Sequence, residues 1–206
     1  MTKFSELIEP GVEFKTLGEG MSWTEGPLWL ADRQSCIFSD IHNNAIMAWS
    51  EPKQTMSVFA NNVEFTNGRA IDGNGDIIEC SHGRRAVQRR SASTGEVTVL
   101  VDHFAGVSLN SPNDVVVASD GAIWFSDPAY GIELAGEGHP GVREYGDRWI
   151  FRFDESTGQI WPVVTDVIAP NGLAFSPDES VLYVCDSSNS GGEDGGRKST
   201  RLNSSH

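Results

Sequence analysis

The chain has 206 residues, a formal charge of −14 and an isoelectric point near 4.6. That length is enough for one good-sized hydrophobic core, and the acidity argues against a nucleic-acid partner and against an anionic membrane surface. No apolar run reaches the roughly 18 residues of a membrane span, and residues 1–20 lack the basic start and apolar core of a secretory signal.

In chain order, residues 1–20 read as a leader with room for one strand, broken by Gly11, Gly18 and Gly20. From Glu25 the pattern is strand, turn, strand. Pro27–Leu30, Cys36–Ser39, Ala45–Trp49 and Thr55–Ala60 form a first unit. Arg69–Asp72, Asp76–Cys80, Ala86–Arg90 and Val97–Val101 form a second. Val115–Ala118, Ile123–Ser126, Trp149–Phe153 and Ile160–Val164 form a third, interrupted by a Gly-rich loop from Pro128 to Asp147. Leu173–Ser176 and Val181–Cys185 begin a fourth. No segment keeps a 3.6-residue apolar period for three turns, so the spacing predicts almost no helix. Asn189–Gly196 reads as loop. Arg197–His206 holds three Lys or Arg and no acid in an otherwise acidic chain. That string matches the translation of a sequencing-library adapter and is read as an artefact at the broken end of a gene fragment; a disordered basic tail is the alternative. The expected domain is therefore residues 1–196.

Each unit opens on a related phrase: Glu25-Gly26-Pro27, Asn67-Gly68-Arg69, Asn113-Asp114-Val115 and Asn171-Gly172-Leu173, with starts 42, 46 and 58 residues apart. That period signals a β-propeller of four-stranded blades. Equivalent positions in a ring of repeats converge on one place. One carboxylate and several amide oxygens converging there form a low-charge, all-oxygen shell, suited to Ca²⁺ or Mg²⁺ and poorly suited to soft metals. Asn-Gly is also a strong turn signal, and Asn171-Gly172 reads equally as a turn and nothing more. Cys36, Cys80 and Cys185 lie in predicted strands with no CxxC pair. They read as small buried hydrophobes of a reducing, cytoplasmic compartment.

The stretches Trp23–Trp29, Ser39–Asn44, Asn110–Val117, Trp124–Gly131 and Pro170–Asp178 follow one another in the order seen in the gluconolactonase and senescence-marker-protein family, which the chain resembles from about residue 15 to 190. The resemblance implies an all-β, six-bladed β-propeller of which about four blades are present. It implies a divalent metal, Ca²⁺ first, with Mg²⁺ or Zn²⁺ as other fits, held by Glu25, Asn113 and Asn171. It places the family's remaining Asp ligand, which is also the expected general base, beyond the end of this chain. Asn67, His82 and Tyr130 are the expected substrate-binding residues, with His82 alternatively a brace between loops. Ser81 and Arg84 depart from the family phrase around His82. Ser108 stands where a basic residue is common.

The implied activity is opening of a lactone ring, sugar lactones such as gluconolactone above all, on a small-molecule substrate. A phosphotriester or aryl ester is the alternative on the same fold, and a non-catalytic binding propeller the alternative of another class. Arg84, Arg85, Arg89 and Arg90 suggest an anion site or, more simply, salt-bridged surface. Asp127 is read as bracing the long loop, and Asp114 as orienting Asn113 or capping a turn.

Overall fold

The computed structural model describes residue 6, residues 8–188 and the backbone of residues 197–200. Alternating apolar residues and Asp- or Gly-centred turns produce antiparallel meanders. The first sheet contains β1 (Thr24–Leu30), β2 (Ser35–Asp40), β3 (Ala45–Ser50) and β4 (Thr55–Asn61), in that spatial order. The second contains β5 (Thr66–Ile71), β6 (Ile77–Ser81), β7 (Ala86–Arg90) and β8 (Val97–Val101). A small hairpin, β9 (His103–Phe104) and β10 (Val107–Ser108), leads to the next sheet. That sheet contains β11 (Val115–Val117), β12 (Ile123–Asp127), β13 (Trp149–Asp154) and β14 (Gln159–Val164), with the one-turn helix α1 (Tyr130–Glu133) between β12 and β13. The last contains β15 (Pro170–Phe175), β16 (Leu182–Asp186) and β17 (Arg197–Thr200).

The strands agree with the sequence pattern to within a few residues. The differences are that residues 8–23 carry no strand, and that β9, β10 and α1 appear where none was expected. β17 falls within the ten residues read as adapter. Its backbone pairs with β16, from Leu182 opposite Thr200 to Cys185 opposite Arg197; such edge pairing uses main-chain groups that almost any sequence supplies. The loop expected at 189–196, like residues 201–206, lies outside the described residues.

Successive sheets pack face to face. Leu30, Ile37, Ile46 and Val63 of the first unit meet Ile77 of the second. Ile78, Cys80 and Val87 meet Val115, Ile123, Phe125 and Phe151 of the third. Ile150 and Val164 meet Leu173, Leu182 and Val184 of the fourth. Phe125 and Phe151, both without exposed surface, stack with centroids 5.5 Å apart, and each contributes about 1.5–3 kcal/mol by leaving water. β6 is buried at all five positions because sheets cover both its faces; hence its sequence shows no alternation. Cys80 is buried as expected, Cys36 is partly so, and Cys185 is exposed, contrary to its reading as a core residue. Among the described residues the four sheets make an open arc.

The first strands of the sheets lie side by side: β1 against β5, β5 against β11, β11 against β15. In three of them the repeated phrase is a β-bulge, since pairing with the second strand slips between Glu25 and Leu28, Thr66 and Arg69, and Pro170 and Leu173. A bulge re-aims the side chains at its turn. The strands touch through main chain, with Gly68 N–H donating to the Asn113 carbonyl at 2.8 Å. Asp114 Oδ2 accepts from Leu173 N–H at 2.8 Å, joining the third sheet to the fourth.

A second device recurs at the end of the second strands. Asp40 accepts from Ser22 N–H and Trp23 N–H, Asp127 from Asn110 N–H and Ser111 N–H, and Asp186 from Ile168 N–H and Ala169 N–H. Each carboxylate clamps the segment that enters its own first strand. Asp127 also accepts from Tyr145 Oη at 2.8 Å, so it braces the long loop as expected. In the second sheet Ser81 replaces the aspartate and donates to the Glu64 carbonyl.

Gly26 and Gly68 set the approach of the first strands. Gly26 has φ +54°, and a methyl group there would fall on the Asn67 carbonyl. One on Gly68 would meet Asp114 Oδ1 and lie 2.7 Å from the Asn113 carbonyl oxygen. Gly68→Ala is therefore expected to destabilise the fold by about 1–3 kcal/mol, as overpacking does. Thermal melting should show a loss of several degrees, whereas Gly73→Ala, where a methyl group meets open space, should leave Tm within about a degree.

Candidate metal centre

The side-by-side first strands bring the four repeated phrases to one cavity of about 480 Å³. Glu25, Asn67, Asn113 and Asn171 line it, together with Asp114 and the intervening glycines. Asn67 and Asn113 are each 5% exposed, so only the edge of each amide reaches the cavity. Asn171 is half-buried and donates from Nδ2 to Ser187 Oγ at 3.2 Å. Tyr130, first residue of α1, brings its hydroxyl against Ser187 and Asn171. That hydroxyl is buried and completes no hydrogen bond of good geometry. His82 has no exposed surface and stands one layer behind the cavity wall. It therefore touches Asn67 and Asn113 rather than the open space that a substrate would enter.

The carboxylates share one electrostatic signature. Burial raises the pKa of Glu25, Asp114 and Glu137, and the Glu25 charge pushes the other two further in the same direction. Among the described residues Glu25 forms no ion pair. Arg69, fully buried and brought down to about 10 chiefly by desolvation, donates to the Gly26 carbonyl and to Ser39 Oγ. It ties β5 to the bulge that carries Glu25. A half-buried carboxylate with no cationic partner is a group for which a bound cation would be stabilising.

The donor set fits a hard cation. No three of His, Cys, Asp and Glu gather as a ligand cluster among the described residues, so the set is one carboxylate plus amides. The amide nitrogens of Asn67 and Asn113 point at His82 Nε2, at 3.4 and 3.3 Å, and that of Asn171 at Ser187. Their carbonyl oxygens are left for the cavity. An all-oxygen, singly charged shell matches Ca²⁺ or Mg²⁺ and offers Zn²⁺ no nitrogen or sulfur.

Several participants were missed or misjudged from sequence. Arg69 was visible in the Asn67-Gly68-Arg69 phrase but resembled a strand residue. Glu137 sits in the long loop, where no periodicity pointed to it. Arg89 is paired with Glu155 and Asp72 and Arg85 with Glu144, whereas Arg84 is exposed and forms no ion pair among the described residues. Arg90 departs from the surface reading, since it pairs with the fully buried Glu79.

An arc of blade-like β-sheets, with one glutamate and three asparagines meeting at a cavity between its first strands, defines the class. The chain belongs to the SMP-30/Gluconolactonase/LRE-like family, whose region matches residues 23–191. It is 30% identical to a gluconolactonase of Zymomonas mobilis, over 91% of this chain and 56% of that protein. A solved gluconolactonase of Xanthomonas campestris superimposes with a TM-score of 0.80 at 37% identity, covering 90% of this chain and 59% of the other. A regucalcin of Agrobacterium tumefaciens, at 19% identity and TM-score 0.62, covers 83% of this chain and 53% of its own and shares the fold. The chain thus spans little more than half the length of these relatives.

Burial brings the His82 pKa down to about 4, against about 6.5 when unfolded. Between those values the unfolded chain binds the extra proton, so the His82 contribution is present above about pH 6.5 and is lost as pH falls toward 4. Asp127, pushed up to about 7 by burial, acts in the opposite sense over the same range. The readout is therefore a difference: between pH 4 and 7 the stability of His82→Gln should rise less, or fall more, with pH than that of the native chain, by about 1.4 kcal/mol per pKa unit.

Proposed function

We propose that this chain carries the metal-binding part of a lactone hydrolase built as a six-bladed β-propeller, with sugar lactones such as gluconolactone as the substrate class. The observation that carries the reading is the meeting of Glu25, Asn67, Asn113 and Asn171 on one cavity with their amide nitrogens engaged elsewhere. Glu25, Asn113 and Asn171 hold the cation, Ca²⁺ by preference. When bound, it supplies a Lewis acid that polarises the lactone carbonyl.

The protein's own side chains do the rest. Amide ligands add no negative charge, so Glu25 is the only formal charge the three ligands contribute. Asn67 and Tyr130 line the approach to the ligands and are placed to orient the substrate's ring oxygens and hydroxyls. Asn113 is buried and Asp114 partly so, which limits water at that wall and strengthens the electrostatic interactions inside. The proton acceptor for the attacking water is supplied from a further repeat. The chemistry of the partner, a small neutral ester, agrees with an acidic chain in which no described helix is long and apolar enough to cross a membrane.

Ring opening of gluconolactone, followed by pH-stat on protein extended through the remaining repeats, should stop on treatment with EDTA and return with Ca²⁺. Glu25→Gln keeps the shape but removes the charge, and should lower Ca²⁺ affinity by more than about a hundredfold, beyond the loss of an outer partner. Asn171→Asp should tighten Ca²⁺ binding while slowing ring opening, because the added charge weakens the Lewis acid. Hydrolysis unchanged after complete metal removal would sink the reading.

A further inference from the structure

His82 has a role that its burial conceals. Its Nδ1 lies 2.9 Å from the main-chain carbonyl oxygen of Glu137. A carbonyl only accepts, so Nδ1 carries the proton, and in the neutral ring Nε2 is left with a lone pair. The groups facing that lone pair, Asn67 Nδ2 at 3.4 Å and Asn113 Nδ2 at 3.3 Å, must then be donors. An amide turned over would set its carbonyl oxygen against the lone pair, with both groups buried and no donor between them. The carbonyl of Glu137 thus fixes the tautomer, the tautomer fixes two amides from two different sheets, and the amides turn their oxygens to the cavity. The ring is held in place as well: Gly131 packs so closely that a methyl group there would lie 2.5 Å from His82 Cβ.

We propose that His82 is a positioning residue, whose Nε2 acceptor sets the Asn67 and Asn113 amides oxygen-first toward the cation cavity. The inference rests on the cation reading of that cavity and adds what orients its donors. It also gives the long loop a part in the site, since Glu137, which supplies the carbonyl, lies between β12 and β13.

Two substitutions separate this role from that of a brace between loops. His82→Gln places a carboxamide oxygen near the position of Nε2 and loses the link to Glu137. His82→Asn keeps a donor near the position of Nδ1 and leaves nothing to accept from the asparagines. Calorimetric titration with CaCl₂ on protein extended through the remaining repeats, with Tm measured alongside, should give native-like Ca²⁺ affinity for His82→Gln. His82→Asn should bind about 10–100-fold more weakly, the range for losing a group that orients ligands. Native affinity in His82→Asn, or an equal loss in both variants, overturns the positioning role. Absence of Ca²⁺ binding by the unsubstituted extended protein overturns the cation reading itself, and the inference with it. Nitrogen NMR of the native chain tests the same point without a variant: His82 Nε2 should appear as an unprotonated ring nitrogen at neutral pH, and a protonated Nε2 overturns the proposal.

Discussion

Four strands running side by side leave no space for a side chain at Gly26 or Gly68, and the rest of the structure depends on that closeness. Main chain meets main chain there, as in the hydrogen bond from Gly68 to Asn113. A Cβ at either glycine would push neighbouring sheets apart. Because the sheets are held at that distance, residues one position before the glycines come within reach of one another. The packed faces of the sheets supply the free energy, but the glycines decide where the donors stand.

Position alone would not make a cation site, because an asparagine can present either end of its amide. The orientation comes from groups behind the wall. His82 takes the amide nitrogens of two asparagines, and Ser187 takes that of the third. Glu25 supplies the single charge among the three ligands, and Arg69 holds the bulge beneath it by the Gly26 carbonyl. The result is a cavity in which four oxygen-bearing side chains stand beside apolar residues of the first strands, with a desolvated carboxylate that a cation would relieve.

The fold was legible because strand, turn and strand recur at a period that local chemistry imposes. The turn Asp72-Gly73-Asn74-Gly75 is one case: Asn74 N–H and Asp76 N–H both bond to Asp72 Oδ1, and Gly75 adopts φ +86°. Glu25, Asn67, Asn113 and Asn171 were legible as a set for the same reason, since equal places in a repeat become neighbours. What stayed hidden depends on depth and on non-repeating chain. Nothing in a sequence separates a histidine on a cavity wall from one a layer behind it, so His82 read either as a substrate contact or as a brace between loops. Glu137 belongs to an insertion with no counterpart in the other units. Cys185 alternates correctly with its strand, yet it lies on a face that no described element covers.

Asp40, Asp127 and Asp186, which clamp the entries of their own first strands, have a consequence for how such a site can change over generations. Each clamp is internal to one sheet, so it fixes the entry of its own first strand whatever residue the neighbouring sheet presents. A glutamate in one repeat and asparagines in the others can therefore be exchanged singly, like characters in separate slots, and the charge of the shell altered one unit at a time. The second sheet is the exception. With Ser81 in place of the aspartate, its donor shares an anchor with the third sheet through His82, and those two slots are free to drift only together.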